Sequence, residues 1–185
     1  MKKYKFTGET KTIYLPFGTV TLHRIKAVVE FGLVKVGDLG GWIEKEENLS
    51  HEENAWVYGD AEVCGNAKVY GNAKVYGDAE VYGDAKVYGD AEVRGNAWVC
   101  GNAKVFSTDH VLVIGAIGSR NDFTTFFRDK DNEITVKCGC FLGKIDKFLE
   151  KVTQTHKDTK HTLAYRTAVE VAKLQIDLTE KSTRR

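Results

Sequence analysis

The sequence predicts a mainly β protein built around a parallel β-solenoid, with a β-rich cap before it and a small α/β module after it. Six-residue units of one pattern follow one another without a gap from Gly59 to Phe106. The residues before them read as short strands and turns, and those after them as strands followed by two amphipathic helices. We therefore predict three regions, a cap at 1–46, a solenoid at 47–106 and a C-terminal module at 107–185.

Each repeat unit predicts a short strand followed by a corner. The eight regular units read GDAEVC, GNAKVY, GNAKVY, GDAEVY, GDAKVY, GDAEVR, GNAWVC and GNAKVF. Alanine and valine lie two positions apart, so in a strand both point inward and the residue between them points outward. Gly followed by Asp or Asn tolerates the left-handed backbone of a corner. A ninth unit, "ENAWVY" (53–58), a degenerate "ENLSHE" with Asn48 in register, and an opening "GGWIEK" precede these units.

The N-terminal region reads as strands that cover the open end of the solenoid. The segments "YKF", "TIYL" and "VTLHRIKAVVEF" have strand patterns, with turn signals at Gly8, at Pro16 to Gly18 and at Gly37 to Gly41. An uncapped solenoid exposes unpaired strand edges. We therefore expect this region to seed and cap the first coil.

The C-terminal region reads as a β-β-β-α-α module. Three strands are expected at "HVLVIGAI", "FTTFF" and "EITVKC", joined by turns at "GSRND" and "RDKDN". A helix over "KIDKFLEKV" would present Ile145, Phe148, Leu149 and Val152 on one face, and a second is expected from about Leu163 to Ile176. The tail "TEKSTRR" is expected to fray.

The repeat resembles the hexapeptide-repeat family, which implies a left-handed parallel β-helix with three hexads per triangular coil. The family's aliphatic position matches the valines from Val63 to Val105, and its small position matches the alanines from Ala61 to Ala103. The order "GSRNDFTTFF … CGCFLGKIDKF … TH … YRTAVEVAK" resembles a module of uncharacterised bacteriophage and prophage proteins. In that pattern a small polar residue often starts the first helix, whereas Lys144 stands here, so the side-chain N-cap should be missing or shifted.

With three hexads per coil, residues 18 positions apart stack, and the outward residues sort into three faces. The first face carries Trp56, Lys74 and Glu92 with Tyr58, Tyr76 and Arg94. The second face carries Glu62, Glu80 and Trp98 with Cys64, Tyr82 and Cys100. The third face carries Lys68, Lys86 and Lys104 with Tyr70, Tyr88 and Phe106. Cys64 and Cys100 are then two coils apart, roughly 9–10 Å, which is too far for a disulfide.

The third face is the first candidate binding site. Its lysines stack without a carboxylate between them, beside an aromatic column, and cations with aromatic rings suit nucleotide-like anions. We predict Lys68, Lys86, Lys104, Tyr70 and Tyr88 as ligand-binding residues. A solvated face of splayed lysines and a subunit interface are the alternatives.

The "GSRND" turn and the strand after it offer a second candidate anion site. Arg120 could bind phosphate or carboxylate in a bidentate way, with Thr125 nearby. An ordinary turn with a surface arginine is an equal alternative. Cys138 and Cys140 could bind a soft metal, although a tight strand-to-helix junction explains them better, and no metal site is predicted.

An acyltransferase is the first enzymatic alternative to a binding protein. Many hexapeptide-repeat proteins are acyltransferases that use a histidine base, but no histidine lies within the eight regular units, and His51 and His110 flank them. No phosphate-binding loop, dinucleotide fingerprint or HExxH motif is present. A hexapeptide-repeat acyltransferase and a self-assembling structural β-helix stay open as alternatives, and no catalytic residue or cofactor is predicted.

The predicted function is that of a non-enzymatic binding protein. Given the phage-like resemblance, it would interfere with host defence or physiology by sequestering a small nucleotide-like anion or occupying a host protein. The resemblance also implies a homo-oligomer, with a trimer favoured, in the cytoplasm of the bacterial host. A net charge of +1 argues against bulk nucleic acid and acidic membranes as partners. No window of the sequence holds 18 apolar residues, so no membrane span is expected. The start, "MKKYKFTGET", has no apolar core behind its lysines, so no secretory signal is expected.

Overall fold

The computed structural model describes residues 1–15 and 18–179. Two residues of the turn predicted at Pro16 to Gly18, and most of the tail predicted to fray, lie outside this range. The strands are β1 Tyr4–Leu15, β2 Gly18–Ala27, β3 Leu39–Ile43, β4 Trp56–Val57, β5 Glu62–Val63, β6 Lys68–Val69, β7 Lys74–Val75, β8 Glu80–Val81, β9 Lys86–Val87, β10 Glu92–Val93, β11 Trp98–Val99, β12 Lys104–Val105, β13 Val111–Ile117, β14 Asp122–Arg128, β15 Ile134–Cys138 and β16 Phe141–Lys144. The helices are α1 Ile145–His156 and α2 Lys160–Gln175, with short 3₁₀ turns at Glu46–Asn48 and Thr108–His110.

The predicted β-solenoid is confirmed. Strands 18 residues apart pair in parallel, and they form the stacks β4-β7-β10, β5-β8-β11 and β6-β9-β12, which correspond to the three predicted faces. Every alanine and valine of the eight regular units is at most 2% exposed. Because each short strand places one methyl and one isopropyl group inward, the coils share one continuous apolar column.

The corners need glycine for two reasons. Gly77 has a φ of 75°, and a Cβ there would lie 3.0 Å from the backbone nitrogen of Gly95 in the next coil. Residues that follow the corner glycines also stack, since the Asn66 amide donates to Asp84 and the Asn72 amide donates to Asp90. The corner is therefore fixed both by its backbone angle and by the spacing of the coils.

The N-terminal region caps the lower end of the solenoid, as expected. The hairpin β1–β2 pairs with β3, and β3 then pairs in parallel with β5. In the lowest coil, backbone carbonyls point away from the next coil and need donors. The buried ammonium of Lys3 donates to the Ala55 carbonyl at 2.7 Å and lies 3.3 Å from the Glu52 and 3.4 Å from the Glu53 carbonyl oxygens.

The register of the degenerate "ENLSHE" unit differs from the prediction. Leu49 bridges to Val69 in parallel, an offset of two more residues than in the regular coils, so Leu49 occupies the valine position. Asn48 instead turns its side-chain amide inward, where it donates to the Gly65 and Ala67 carbonyls. The predicted register was wrong because it aligned Leu49 with the alanine position of the regular unit.

The far half of the β1–β2 hairpin packs on the second face. Leu22 of β2, Trp42 and Cys64 form a buried cluster there, flanked by Ile13, Leu15, Val20 and Tyr82. Lys11 lies over the Trp42 ring at 4.6 Å and pairs with Glu62 at 2.7 Å. This face is therefore largely covered by the chain itself.

The C-terminal module covers the upper end and adds one strand to the predicted arrangement. β13–β16 form an antiparallel sheet in sequence order, and β16 directly precedes α1. Phe127 packs into the solenoid core, whereas Phe126 packs with α1 and α2 in a second core. Lys144 at the start of α1 makes no side-chain cap, as its residue type predicted. Within the described residues, no helix has the length and apolar character needed to cross a membrane.

Candidate functional site

The third face has the arrangement predicted from the repeat. Lys68 pairs with Lys86, and Lys86 with Lys104, on adjacent parallel strands. Adjacent strands place such side chains roughly 4.8 Å apart at their bases. Among the described residues, none of these three lysines forms an ion pair. The face therefore presents a column of uncompensated positive charge.

An aromatic column runs beside the lysines. The rings of Tyr70 and Tyr88 stack with centroids 4.9 Å apart and planes 2° apart. Tyr88 continues to Phe106 at 5.3 Å with a tilt of 36°. Burial raises the pKa of both Tyr70 and Tyr88, so their hydroxyls stay protonated and available as donors.

A buried cation closes the upper end of this column. The Arg128 guanidinium lies 4.5 Å from the Phe106 ring centroid, and only 2% of the residue is exposed. Its Nη2 donates to Asn132, whereas Nε and Nη1 are buried and have no hydrogen-bond partner in the described part of the chain. Arg128 therefore adds positive potential beneath the aromatic column without contacting solvent itself.

The first face pairs its own charges, and the second face has one carboxylate that pairs with a lysine of the N-terminal hairpin. On the first face, Lys74 and the Tyr76 hydroxyl donate to Glu92 at 3.2 and 2.9 Å. These hydrogen bonds lower the pKa of the Glu92 carboxyl, which stays ionised. On the second face, burial raises the pKa of Glu80, next to Glu62, which pairs with Lys11. The third face differs because, among the described residues, none of its three lysines has an ion pair with any part of the chain.

Arg120 and Thr125 occupy different environments in the C-terminal module. Arg120 is exposed in the β13–β14 turn, and its guanidinium lies so close to Gly139 that a side chain there would collide with it. Thr125 is 2% exposed, and its hydroxyl accepts a hydrogen bond from the Trp98 backbone N–H at 3.0 Å. A small cavity of about 70 Å³ beside Thr125 is lined by Lys137 and Trp98 but not by Arg120. A ligand role for either residue stays a prediction.

The cysteines are free thiols. Burial raises the pKa of Cys64 to about 12 and raises that of Cys100, so neither is a nucleophile. Cys138 accepts from the Thr124 hydroxyl at 3.3 Å and lies 3.8 Å from the Tyr165 hydroxyl, while Cys140 is exposed. In the described part of the chain, no three His, Cys, Asp or Glu residues are grouped to hold a metal ion.

Each of the two histidines beside the solenoid accepts a hydrogen bond from a backbone N–H. His51 Nδ1 accepts from the Lys3 N–H at 3.2 Å, and its ring stacks on Tyr4 at 4.2 Å. His110 is buried, and its Nδ1 accepts from the Phe106 N–H at 3.2 Å. Burial lowers the pKa of His51. Neither arrangement resembles an exposed general base directed at a substrate cleft.

One cleft beside the solenoid was missed by the sequence reasoning. It has a volume of about 560 Å³ and lies where β10 of the first face meets the 3₁₀ turn at Thr108–His110, β13 and Phe123. The sequence feature that could have indicated this cleft is Arg94, which replaces the tyrosine of the lower coils at the last coil of the first face. Its meaning depends on how the C-terminal module sits on the solenoid, which the repeat does not encode.

No protein-family model matches the chain. It is 39% identical over 62 residues to an uncharacterized acetyltransferase, YdcK, of Escherichia coli strain K12. The matched region covers 31% of this chain and 19% of the length of that protein. The β-solenoid and this match fit a hexapeptide-repeat protein in general. The bacteriophage origin inferred from the C-terminal module stays a prediction.

Proposed function

We propose that this chain is a binding protein that holds a small nucleotide-like anion on the third face. The observation that carries the proposal is the column of Lys68, Lys86 and Lys104, none of which has an ion pair among the described residues, whereas Lys74 pairs with Glu92 and Glu62 pairs with Lys11. Like charges directly opposite each other destabilise a strand pair. A bound anion removes that cost and contributes favourable charge–charge contacts.

The aromatic column supports the nucleotide-like character of the ligand. Tyr70 and Tyr88 are half-buried, with their rings stacked on each other and their hydroxyls protonated. A base can pack on such a column while its phosphates meet the neighbouring lysines, since stacking and charge act side by side. Inorganic phosphate alone would use only the lysines and bind more weakly.

Sequestration of such an anion would serve the biological role that the sequence resemblance implies. A phage or prophage protein that removes a nucleotide signal would interfere with host defence or physiology without catalysing a reaction. Occupation of a host protein by the same face is the alternative form of the proposal. Association of the chain into a trimer belongs to the same proposal.

Calorimetry with matched variants tests the site. We expect ADP to bind the wild type more tightly than pyrophosphate or adenosine alone, and the Lys68→Ala, Lys86→Ala, Lys104→Ala triple variant to lose ADP binding. A control triple variant of exposed lysines elsewhere, Lys5→Ala, Lys26→Ala, Lys151→Ala, changes net charge equally and should bind as the wild type does. Equal loss in both variants, or no ADP binding to the wild type, would contradict the proposal.

A hexapeptide-repeat acyltransferase is the second candidate, because the matched relative is described as an acetyltransferase. Coenzyme A is itself a nucleotide-like anion, so binding alone does not separate the two candidates. The two candidates are separated by a test for release of free thiol from acetyl-coenzyme A in the presence of candidate acceptors. Turnover that disappears in His51→Gln or His110→Gln, with folding retained, would favour the enzyme. Absence of turnover together with ADP binding supports the non-catalytic protein.

A further inference from the structure

We propose that the cleft between β10 and β13 is a second binding site, which takes a small carboxylic acid with an apolar body. The cleft of about 560 Å³ is within the range of small-molecule sites. Its walls combine a polar strand edge, Glu92 to Asn96, with apolar side chains of β13 and with Phe123. It is separate from the third face and does not depend on the function proposed for that face.

The first argument is the identity of residue 94. The same column carries Tyr58 and Tyr76 in the lower coils and changes to Arg94 at the last coil, at the mouth of the cleft. Its Nη1 lies 3.5 Å from the Tyr76 hydroxyl and 3.9 Å from Glu92. Nη2 and Nε have no partner among the described residues. Two guanidinium donors therefore remain for a bidentate contact with a carboxylate.

The second argument is the direction of the backbone N–H groups. In the coil below, Lys74 and Tyr76 donate their N–H groups to carbonyls of the next coil, at 2.9 Å each. Among the described strands β10 pairs only with β7, so the same direction points the Glu92 and Arg94 N–H groups toward the cleft. On the other faces, Thr125 caps the Trp98 N–H and His110 caps the Phe106 N–H. No described residue caps the two groups at the cleft, where ligand oxygens can accept from them.

The third argument concerns charge and shape. The Glu92 carboxylate is already held by Lys74 and Tyr76, so its charge is compensated. The exposed Asp109 carboxylate also lines the cleft and opposes the charge of Arg94. The cleft therefore has no excess positive charge and disfavours a phosphate dianion, while a single carboxylate can still bind through the free guanidinium donors of Arg94. Val111, Val113 and the Phe123 ring, which is 39% exposed, offer the apolar surface for the rest of the molecule.

Ligand-observed and protein-observed NMR with a matched pair of probes tests the site. We expect 4-phenylbutyrate to shift the amide resonances of Arg94 and Gly95, and 4-phenylbutan-1-ol, which lacks the carboxylate, to bind at least about tenfold more weakly. Arg94→Tyr restores the residue of the lower coils, so it should fold, and it should weaken 4-phenylbutyrate binding by about tenfold or more. Phe123→Ala should weaken both probes.

The Lys68→Ala, Lys86→Ala, Lys104→Ala variant serves as the control, because it alters the third face and leaves the cleft intact. It should bind 4-phenylbutyrate as the wild type does, which separates this site from the proposed nucleotide site. Equal binding of the acid and the alcohol, unchanged binding in Arg94→Tyr, or no shift at Arg94 and Gly95 in the wild type would each overturn the proposal.

Discussion

The hydroxyl of Thr125 accepts a hydrogen bond from the backbone N–H of Trp98 at 3.0 Å, and this contact ties the C-terminal sheet to the last coil. In the lower coils of the same face, the equivalent N–H of Glu80 donates to the Ala97 carbonyl of the next coil. Thr125 therefore replaces, above the last coil, the carbonyl that the next coil provides lower in the solenoid. A side chain supplies the acceptor that the backbone of a further repeat would have supplied.

Replacement of Thr125 should test this cap. Thr125→Val keeps the shape but removes the acceptor and leaves a half-buried N–H unsatisfied, so we expect a loss of about 1–3 kcal/mol in the free energy of unfolding. Thr125→Ser keeps the hydroxyl and should lose clearly less. Urea denaturation followed by circular dichroism measures both. An unchanged stability of Thr125→Val, with the loss confined to Thr125→Ser, would show that the methyl group, and not the hydrogen bond, matters.

Two corner glycines allow the cost of the left-handed backbone to be measured apart from the cost of a close contact between coils. Gly77 and Gly95 share a left-handed backbone, with φ of 75° and 63°, but a Cβ at Gly77 would lie 3.0 Å from the Gly95 nitrogen, while a Cβ at Gly95 meets nothing within 4 Å. Both alanine variants should lose about 1 kcal/mol for the backbone angle. Gly77→Ala should lose about 1 kcal/mol more for the close contact. Thermal unfolding measures the stability of both variants. Equal losses would show that the neighbouring coils move apart easily and that the close contact at Gly77 costs nothing.

The sequence predicts the solenoid well because its register follows from a single local rule. An inward alanine and valine, an outward residue and a glycine corner recur every six residues, so stacking at 18 positions places Lys68 beside Lys86 without any further information. The same rule failed at Leu49, where the corner is irregular and the offset changes by two residues. Local pattern thus fixes the faces only where the repeat is unbroken.

The groups that close the two ends could not be predicted, because each depends on contacts between residues far apart in the chain. Lys3 caps carbonyls about fifty positions away, and Thr125 caps Trp98 from a separate sheet. The fourth strand, "FLGK", is short and runs directly into α1, so the helical pattern masked it. The cleft at Arg94 has the same origin, since its second wall comes from the C-terminal module.

The buried ammonium of Lys3 predicts a dependence of stability on pH. Burial lowers its pKa from the usual 10.5 to about 8, against a smaller opposite effect of Glu53. Between pH 8 and 10.5 the unfolded chain then holds a proton that the folded chain has released. Stability from this group should therefore rise with pH across that window.

Lys3→Met isolates this contribution, because it removes the titrating group and leaves the other ionisable groups in place. The free energy of unfolding of the wild type minus that of the variant should increase between pH 8 and 10.5. Urea denaturation at several pH values measures the difference. A difference that stays constant, or that falls with rising pH, would show that the ammonium of Lys3 is not disfavoured in the folded protein.

Charge inversion on the third face connects stability with the proposed function. Lys86 lies between Lys68 and Lys104, so Lys86→Glu turns two like-charge contacts into two attractive ones. We expect the free energy of unfolding to increase by about 0.5–1 kcal/mol at low salt and by less at high salt. The matched variant Lys74→Glu on the first face faces Glu92 and should lose a similar amount.

Denaturation at two salt concentrations measures both variants, and ADP titration of Lys86→Glu completes the test. We expect Lys86→Glu without ligand to be more stable than the wild type and to lose ADP binding. This combination would mean that the native lysine column lowers folding stability and is kept because it binds an anion. If Lys86→Glu is instead less stable than the wild type at low salt, the lysines do not repel one another, and the main physical argument for an anion site on this face falls.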